Sequence, residues 1–298
     1  MLILRTVTTF VMGLFVLVAS QSVLANDKTP SHVYQLAKTL EMSVLNIRKA
    51  NNVGSAIKTP PVQMNKLPIH VYSKAIEINE KVIRLQEKFG LSLSSEKMIP
   101  IRNISPTDVY EIVDSVFLNV QSIIESLNLT TETAPFVPGK TPSNVYEQLM
   151  QVSFALDTIV GAINPNLVYR NALMIESDMQ LIASSLGKSL PTVKPDLIEG
   201  SKPFDVNIEA FKNLYRIAKL ERAQSIKAVR VADFPVGKVS PGEVYDTTNN
   251  ILAELTRIKT KLGITEQTQS FPTSQDKKPA EVLQLMALIG LQIESLLP

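Results

Sequence analysis

A five-residue box, Pro-x-x-Val-Tyr, recurs along the chain at an almost fixed interval, and that interval restricts the fold more than any other feature. The box occupies residues 30–34, 68–72, 106–110, 142–146, 165–169 and 241–245, with degenerate copies at 203–207 and 279–283. Five of the seven spacings are 38 residues, one is 36 and one is only 23. Six of the seven tyrosines stand in the box: Tyr34, Tyr72, Tyr110, Tyr146, Tyr169 and Tyr245. A period of this length demands a repeat architecture, and it is not the 34-residue helix pair of tetratricopeptide repeats.

Each repeat opens as a helix should. Thr29, Ser105, Thr141, Asn164 and Ser240 are N-cap types, and the following Pro takes the first helical position, where its missing N–H is not needed. Asp108, Asp205, Glu243 and Glu281 fall in the first turn, where a carboxylate complements the helix dipole and can close a capping box. Counting from the box Val, apolar residues recur at offsets 4, 7, 11, 14 and 18, a 3.5-residue period that marks a bundle seam. Offsets 11 and 14 are apolar in every repeat, from Val44 and Ile47 to Ile293 and Leu296; Thr248, Asn213 and Gln224 interrupt the seam elsewhere. Offset 19 holds Asn52, Gly90, Asn128, Asn164, Gly187 and Gly263, residues that tolerate the left-handed helix stop, with Ser225 as the outlier. Each helix is then ~21 residues and ~32 Å long.

The spacing predicts an all-α chain of eight such helices, arranged as two tandem four-helix halves, residues 26–163 and 164–298. The first three boxes return 135 residues later, which reads as an internal duplication. In the 23-residue interval, helix four runs to Asn164, which also caps helix five and leaves no linker. Elsewhere roughly 15 residues join the helices, more than antiparallel neighbours need. At ~3.3 Å per residue such a linker could run back along a whole helix, so parallel and up-and-down packing both remain open.

Residues 1–25 read as a secretory signal peptide: Arg5 is the only charge, residues 10–19 are apolar, and small residues precede a cleavage after Ala25. No later segment has the ~20 consecutive apolar residues of a membrane span. The expectation is an exported protein, periplasmic or secreted. The absence of cysteine excludes disulfides and thiolate metal sites. A formal net charge of +2 gives no general case for binding nucleic acid.

Chemistry-bearing residues are few. His32 and His70 stand at equivalent places in the first two boxes and are weak candidates for a metal or pH-sensing pair, or else simply polar first-turn residues. No Glu-x-x-His, His-Glu-x-x-His, P-loop or Gly-x-Ser-x-Gly motif is present. No catalytic residue, cofactor or metal is expected. The six box tyrosines suit a structural role, an aromatic body against a neighbouring helix or linker. Lys212, Arg216, Lys219, Arg222, Lys227 and Arg230 form a candidate basic stripe on and beyond helix six, whereas helix three carries Asp108, Glu111, Asp114 and Glu125 with no Lys or Arg. Either both faces are solvated, or the halves pair through them, or the stripe docks on an anionic partner or lipid surface. These features predict a non-enzymatic exported protein that binds another exported or membrane protein, or serves as a scaffold. A small-molecule-binding bundle of a periplasmic sensing system is the alternative, and a carboxylate-based enzyme the third reading.

Overall fold

The computed structural model describes residues 27–234 and 237–298; the expected signal peptide lies outside them. Among the described residues there are eight helices and no strand: α1 Pro30–Ala50, α2 Pro68–Lys88, α3 Pro106–Ser126, α4 Pro142–Val160, α5 Pro165–Ser185, α6 Pro203–Ala223, α7 Pro241–Leu262 and α8 Pro279–Leu296. Every helix begins on its box proline.

The start signal works mainly through the third helical residue. Asp108, Asn144, Asp205, Glu243 and Glu281 each accept the N–H of the residue before the Pro. His32 and His70 do so through Nδ1, at 3.1 and 2.9 Å. Ser105, Thr141, Asn164 and Ser240 accept a first-turn N–H in the predicted way. Thr29 does not; its hydroxyl pairs with His32 Nδ1 instead. At the other end, Asn52, Gly90, Asn128, Gly187, Ser225 and Gly263 adopt φ between 53° and 72°. Ser225, the outlier by residue type, therefore takes the same left-handed stop. Asn164 departs from the expectation. It is extended at φ −108°, α4 already ends at Val160, and Gly161 turns the chain at φ 80°, ψ 158°. A short connection, 161–164, thus does exist.

The seam residues fill two cores. All residues at offsets 11 and 14 are buried, most of them with no exposed surface. Full burial of an aliphatic side chain stabilises by about 1.5–3 kcal/mol, so each of these positions contributes strongly to the fold. Of the polar interruptions, Gln224 is only half-buried, while Asn213 and Thr248 are equally buried and stay bonded: Asn213 donates to the Met286 carbonyl at 2.8 Å and Thr248 to the Tyr245 carbonyl at 2.8 Å.

Helix direction, left open by sequence, is parallel within each half. Pro30, Pro68, Pro106 and Pro142 with their box valines surround one small cavity, so all four starts share one end. Contacts run α1–α3–α2–α4 around the first half and α5–α7–α6–α8 around the second, the same order in both. The linkers return along neighbouring helices, as linker 127–141 shows against α1. Its Thr130 carbonyl accepts from Asn46, its Ala134 N–H donates to Thr39, and its Lys140 N–H donates to Ser31. Rising linker numbers meet falling helix numbers. Linker 186–202 climbs α8 likewise, through Gln292 to the Pro191 carbonyl and Gln284 to the Pro195 carbonyl.

The two halves meet through α2 and α7. His70 meets Glu254, Ser73 the Asn249 carbonyl, Lys74 Asp246, and Glu80 Tyr245, so these helices are antiparallel. That reversal explains the short interval. The end of α4 already lies where the second half must start, so no returning linker is needed.

Candidate functional site: a charged seam and the outer face of α6

The α2–α7 seam buries an ionised network that composition alone does not reveal. Lys74 donates to Glu77 and to Asp246, each at 2.5 Å, and Lys81 reaches Glu77 at 2.9 Å and Asp157 at 2.7 Å. Lys74, Glu77 and Lys81 are all but fully buried. Burial and the neighbouring Glu77 charge push Asp246 up to about 7, against the pull of Lys74. Burial also acts to raise Glu77, but the two flanking ammonium groups outweigh it and hold Glu77 well below the usual carboxylate range. One buried acid is thus ionised while its neighbour sits near neutrality, as two carboxylates sharing a site require.

A second cluster closes the other end. Arg257 bridges Glu221, at 2.6 Å, and Glu254. Burial and the Glu254 charge push Glu221 up to about 9, so it carries a proton at neutral pH. His70 joins Glu254 at 2.7 Å. Because its Nδ1 accepts the Leu67 N–H, its Nε2 must carry the hydrogen given to Glu254. Burial lowers the His70 pKa and favours that same neutral form. Protonation would put a donor on Nδ1 and break the cap of α2.

Every ion in this seam has a partner inside the fold, so the seam sets register between the halves rather than presenting a reactive group. Beside it, Arg170 of α5 pairs with Glu80 and lies within 3.6 Å of Glu96. The adjoining cavity holds about 40 Å³, far below the size of a ligand pocket.

The histidines do not form a pair. His32 caps α1 and packs against the ring of Phe136 at 5.1 Å, whereas His70 lies in the seam. Among the described residues no group of three or more His, Asp or Glu is placed to hold a metal ion.

The box tyrosines receive lysines. Two residues before a box Pro, Lys28, Lys66, Lys140 and Lys277 donate their N–H to Thr107, Ser143, Ser31 and Asn166, the second box residue of an adjacent helix. Their ammonium groups lie 4.2–4.7 Å from the ring centres of Tyr110, Tyr146, Tyr34 and Tyr169. The chain is thus clamped ahead of α1, α2, α4 and α8 to the start of a neighbouring helix by a hydrogen bond and a cation–π contact, whereas Ile104, Ile163, Ser201 and Val239 stand at that place before α3, α5, α6 and α7. Tyr245 differs, donating its hydroxyl to Glu80 across the seam. Tyr72 is half-buried and packs against both cores.

The predicted basic stripe divides in two. Lys212, Lys219 and Arg222 are exposed on α6, while Arg216 is tied to Glu209 and Glu294, each at 2.7 Å. Lys227 and Arg230 lie beyond the helix, in linker 224–240. Sequence reading missed the aromatic part of the face. Tyr215, the one tyrosine outside the box, is 54% exposed, and the steps 212, 215, 219 and 222 put it among the three cations. Phe204 and Phe211 both contact Phe234 of the linker edge-on, at 5.4 and 5.0 Å. Basic α6 and acidic α3 make no contact. Linker 89–105 meets α5 along one flank of the seam, and residues 64–66 meet α6 along the other, so the two faces lie on opposite sides. The pairing between halves expected as one explanation of these charges is not made within the chain.

Compared with known proteins, the chain matches no family model, no curated protein and no solved structure.

Proposed function

We propose that this chain is an exported, non-catalytic helical-repeat protein that binds another protein through the outer face of α6. The observation that carries the reading is the contrast between committed and uncommitted charge. The seam ions are buried and paired, whereas Lys219 and Arg222 form no ion pair among the described residues and, with Lys212, which reaches Glu209 at 3.1 Å, surround the exposed ring of Tyr215. Exposed aromatic rings and arginines are enriched at protein-binding surfaces. Among the described residues no helix is long and apolar enough to cross a membrane.

A second reading, a small-molecule-binding bundle of a sensing system, has one observation in its favour. A cleft of about 600 Å³ opens at the end of the seam between Leu67, Ile104, Ile226 and Thr260. Its arginines are already engaged, Arg102 with Asp108 and Arg257 with Glu221. The test is purification of the native exported protein with mass spectrometry of what accompanies it. A stoichiometric protein partner that is lost with Lys212→Ala, Tyr215→Ala and Lys219→Ala supports the first reading. A bound small molecule retained in that variant, with no protein partner, supports the second.

A further inference from the structure

We propose that the partner is a second copy of this chain, its α3 docking on α6 of the first to repeat between molecules the contact that α2 makes with α7 within one. The inference rests on the protein-binding reading and names the partner.

The two halves share one helix order, so α6 corresponds to α2 and α7 to α3, 135 residues apart. The internal contact joins two different faces: the first half offers its α2 and the second its α7. A contact between unlike faces leaves one of each unused, here α3 of the first half and α6 of the second.

The unused faces carry the features of the used ones. Ile69, Ile76 and Ile99 of the first half pack into the core of the second. Their counterparts are Phe204, Phe211 and Phe234, the aromatic group on α6, with Phe204 41% exposed. Ala253, fully buried on α7, corresponds on α3 to Leu118, which is 60% exposed. Glu77 binds Lys74 and Lys81 on α2; at the same register on α6, Glu209 binds Lys212 and Arg216.

Charge then selects the pairing. Glu77 lies beside Asp246 in the internal contact, and the corresponding residues are Lys212 and Glu111, which attract. Leu67 and Thr260 line one cleft, and their counterparts are Lys202 and Glu125, again opposite in sign. One adverse pair arises, Glu209 opposite Glu111 as the counterpart of Lys74 with Asp246, but Lys212 and Arg216 both bind Glu209 and leave this group with a net positive charge toward Glu111. Because each step reverses helix direction, two steps restore it. Repetition extends in a line and does not close into a ring.

Analytical ultracentrifugation of the purified protein tests this directly. The expected result is a weight-average mass that at least doubles with concentration and falls back in high salt. Two variants separate assembly from folding: Lys212→Glu with Lys219→Glu, and Glu111→Lys with Asp114→Lys. Each alone should stay monomeric, with unchanged helical circular dichroism, while a mixture of the two should assemble because both contacts regain opposite charge. A wild type that stays monomeric at all concentrations and ionic strengths overturns the proposal, as does assembly by either variant alone or a mixture that stays monomeric. If another protein is nevertheless lost with the α6 substitutions, the protein-binding reading survives and only the identity of the partner falls.

Discussion

Lys259 and Asp178 meet at 2.5 Å inside the second bundle, both without exposed surface, and Thr268 bonds to each of them. A buried pair of this kind costs nearly as much desolvation as its attraction returns, but leaving one member alone is costly. Lys259→Met or Asp178→Leu should each lower unfolding stability by about 3–5 kcal/mol, while the double replacement should recover most of the loss. Urea denaturation of the three variants checks this; three equal losses would contradict it. The pair escaped sequence reading because offset 10, which holds Asp178, lies beside the apolar seam. A flank residue is buried or solvated according to what the neighbouring helix and linker place over it.

At the scale of the element, the sequence shows each helix almost completely. Pro at the first position and an acceptor at the third recur because they satisfy N–H groups every helix leaves open. The stops follow conformation more closely than residue type, as Ser225 at φ 57° illustrates. Ser225→Gly should therefore stabilise by about 0.5–1 kcal/mol, since glycine reaches this region without strain. Gly161, at φ 80° and ψ 158°, lies where side chains are strongly disfavoured, and Gly161→Ala should cost about 1–3 kcal/mol. Thermal unfolding of both variants reads the two signs. Helix direction was not legible, because a linker long enough to return along a helix is also long enough to wander. At four of the eight helix starts a lysine two residues before the box ties the chain to the start of a neighbouring helix, and its partners lie far away in sequence.

At the scale of the molecule, parallel packing gathers four helix dipoles of one sign at each end of a half. Arg84 and Lys88 meet the last carbonyls of α4, and Lys188 those of α8, where cations offset the accumulated negative ends. Antiparallel docking of the halves then sets the dipoles of one against those of the other. The seam that joins them was hidden in the sequence: Lys74, Glu77 and Lys81 on α2 resemble Glu209, Lys212 and Arg216 on α6, yet only the first set is covered by another half.

The seam also makes stability depend on pH. Glu221, raised to about 9, keeps its proton in the folded state up to that pH, whereas the unfolded chain releases it near 4.5. The folded state therefore binds more protons between these values, and this contribution to stability falls as pH rises toward 9. Asp246, raised to about 7, adds a loss of the same sign that is complete above that pH. Between pH 7 and 9 wild type should lose stability and Glu221→Gln should lose distinctly less, as read by urea midpoints. Equal slopes would exclude Glu221 as the source.

Parallel bundles joined antiparallel are the premise of the seam, the short connection and the two unused faces. Because the chain has no cysteine of its own, the double substitution Glu87→Cys on α2 and Glu125→Cys on α3 gives two unique sites for spin labels. Both positions are exposed and lie near the ends of adjacent helices. Electron spin resonance should place the labels roughly 10–25 Å apart, since packed parallel helices lie about 10 Å apart at matching ends. A separation of about 30 Å or more, one helix length, would mean that α2 and α3 run in opposite directions and would contradict the architecture.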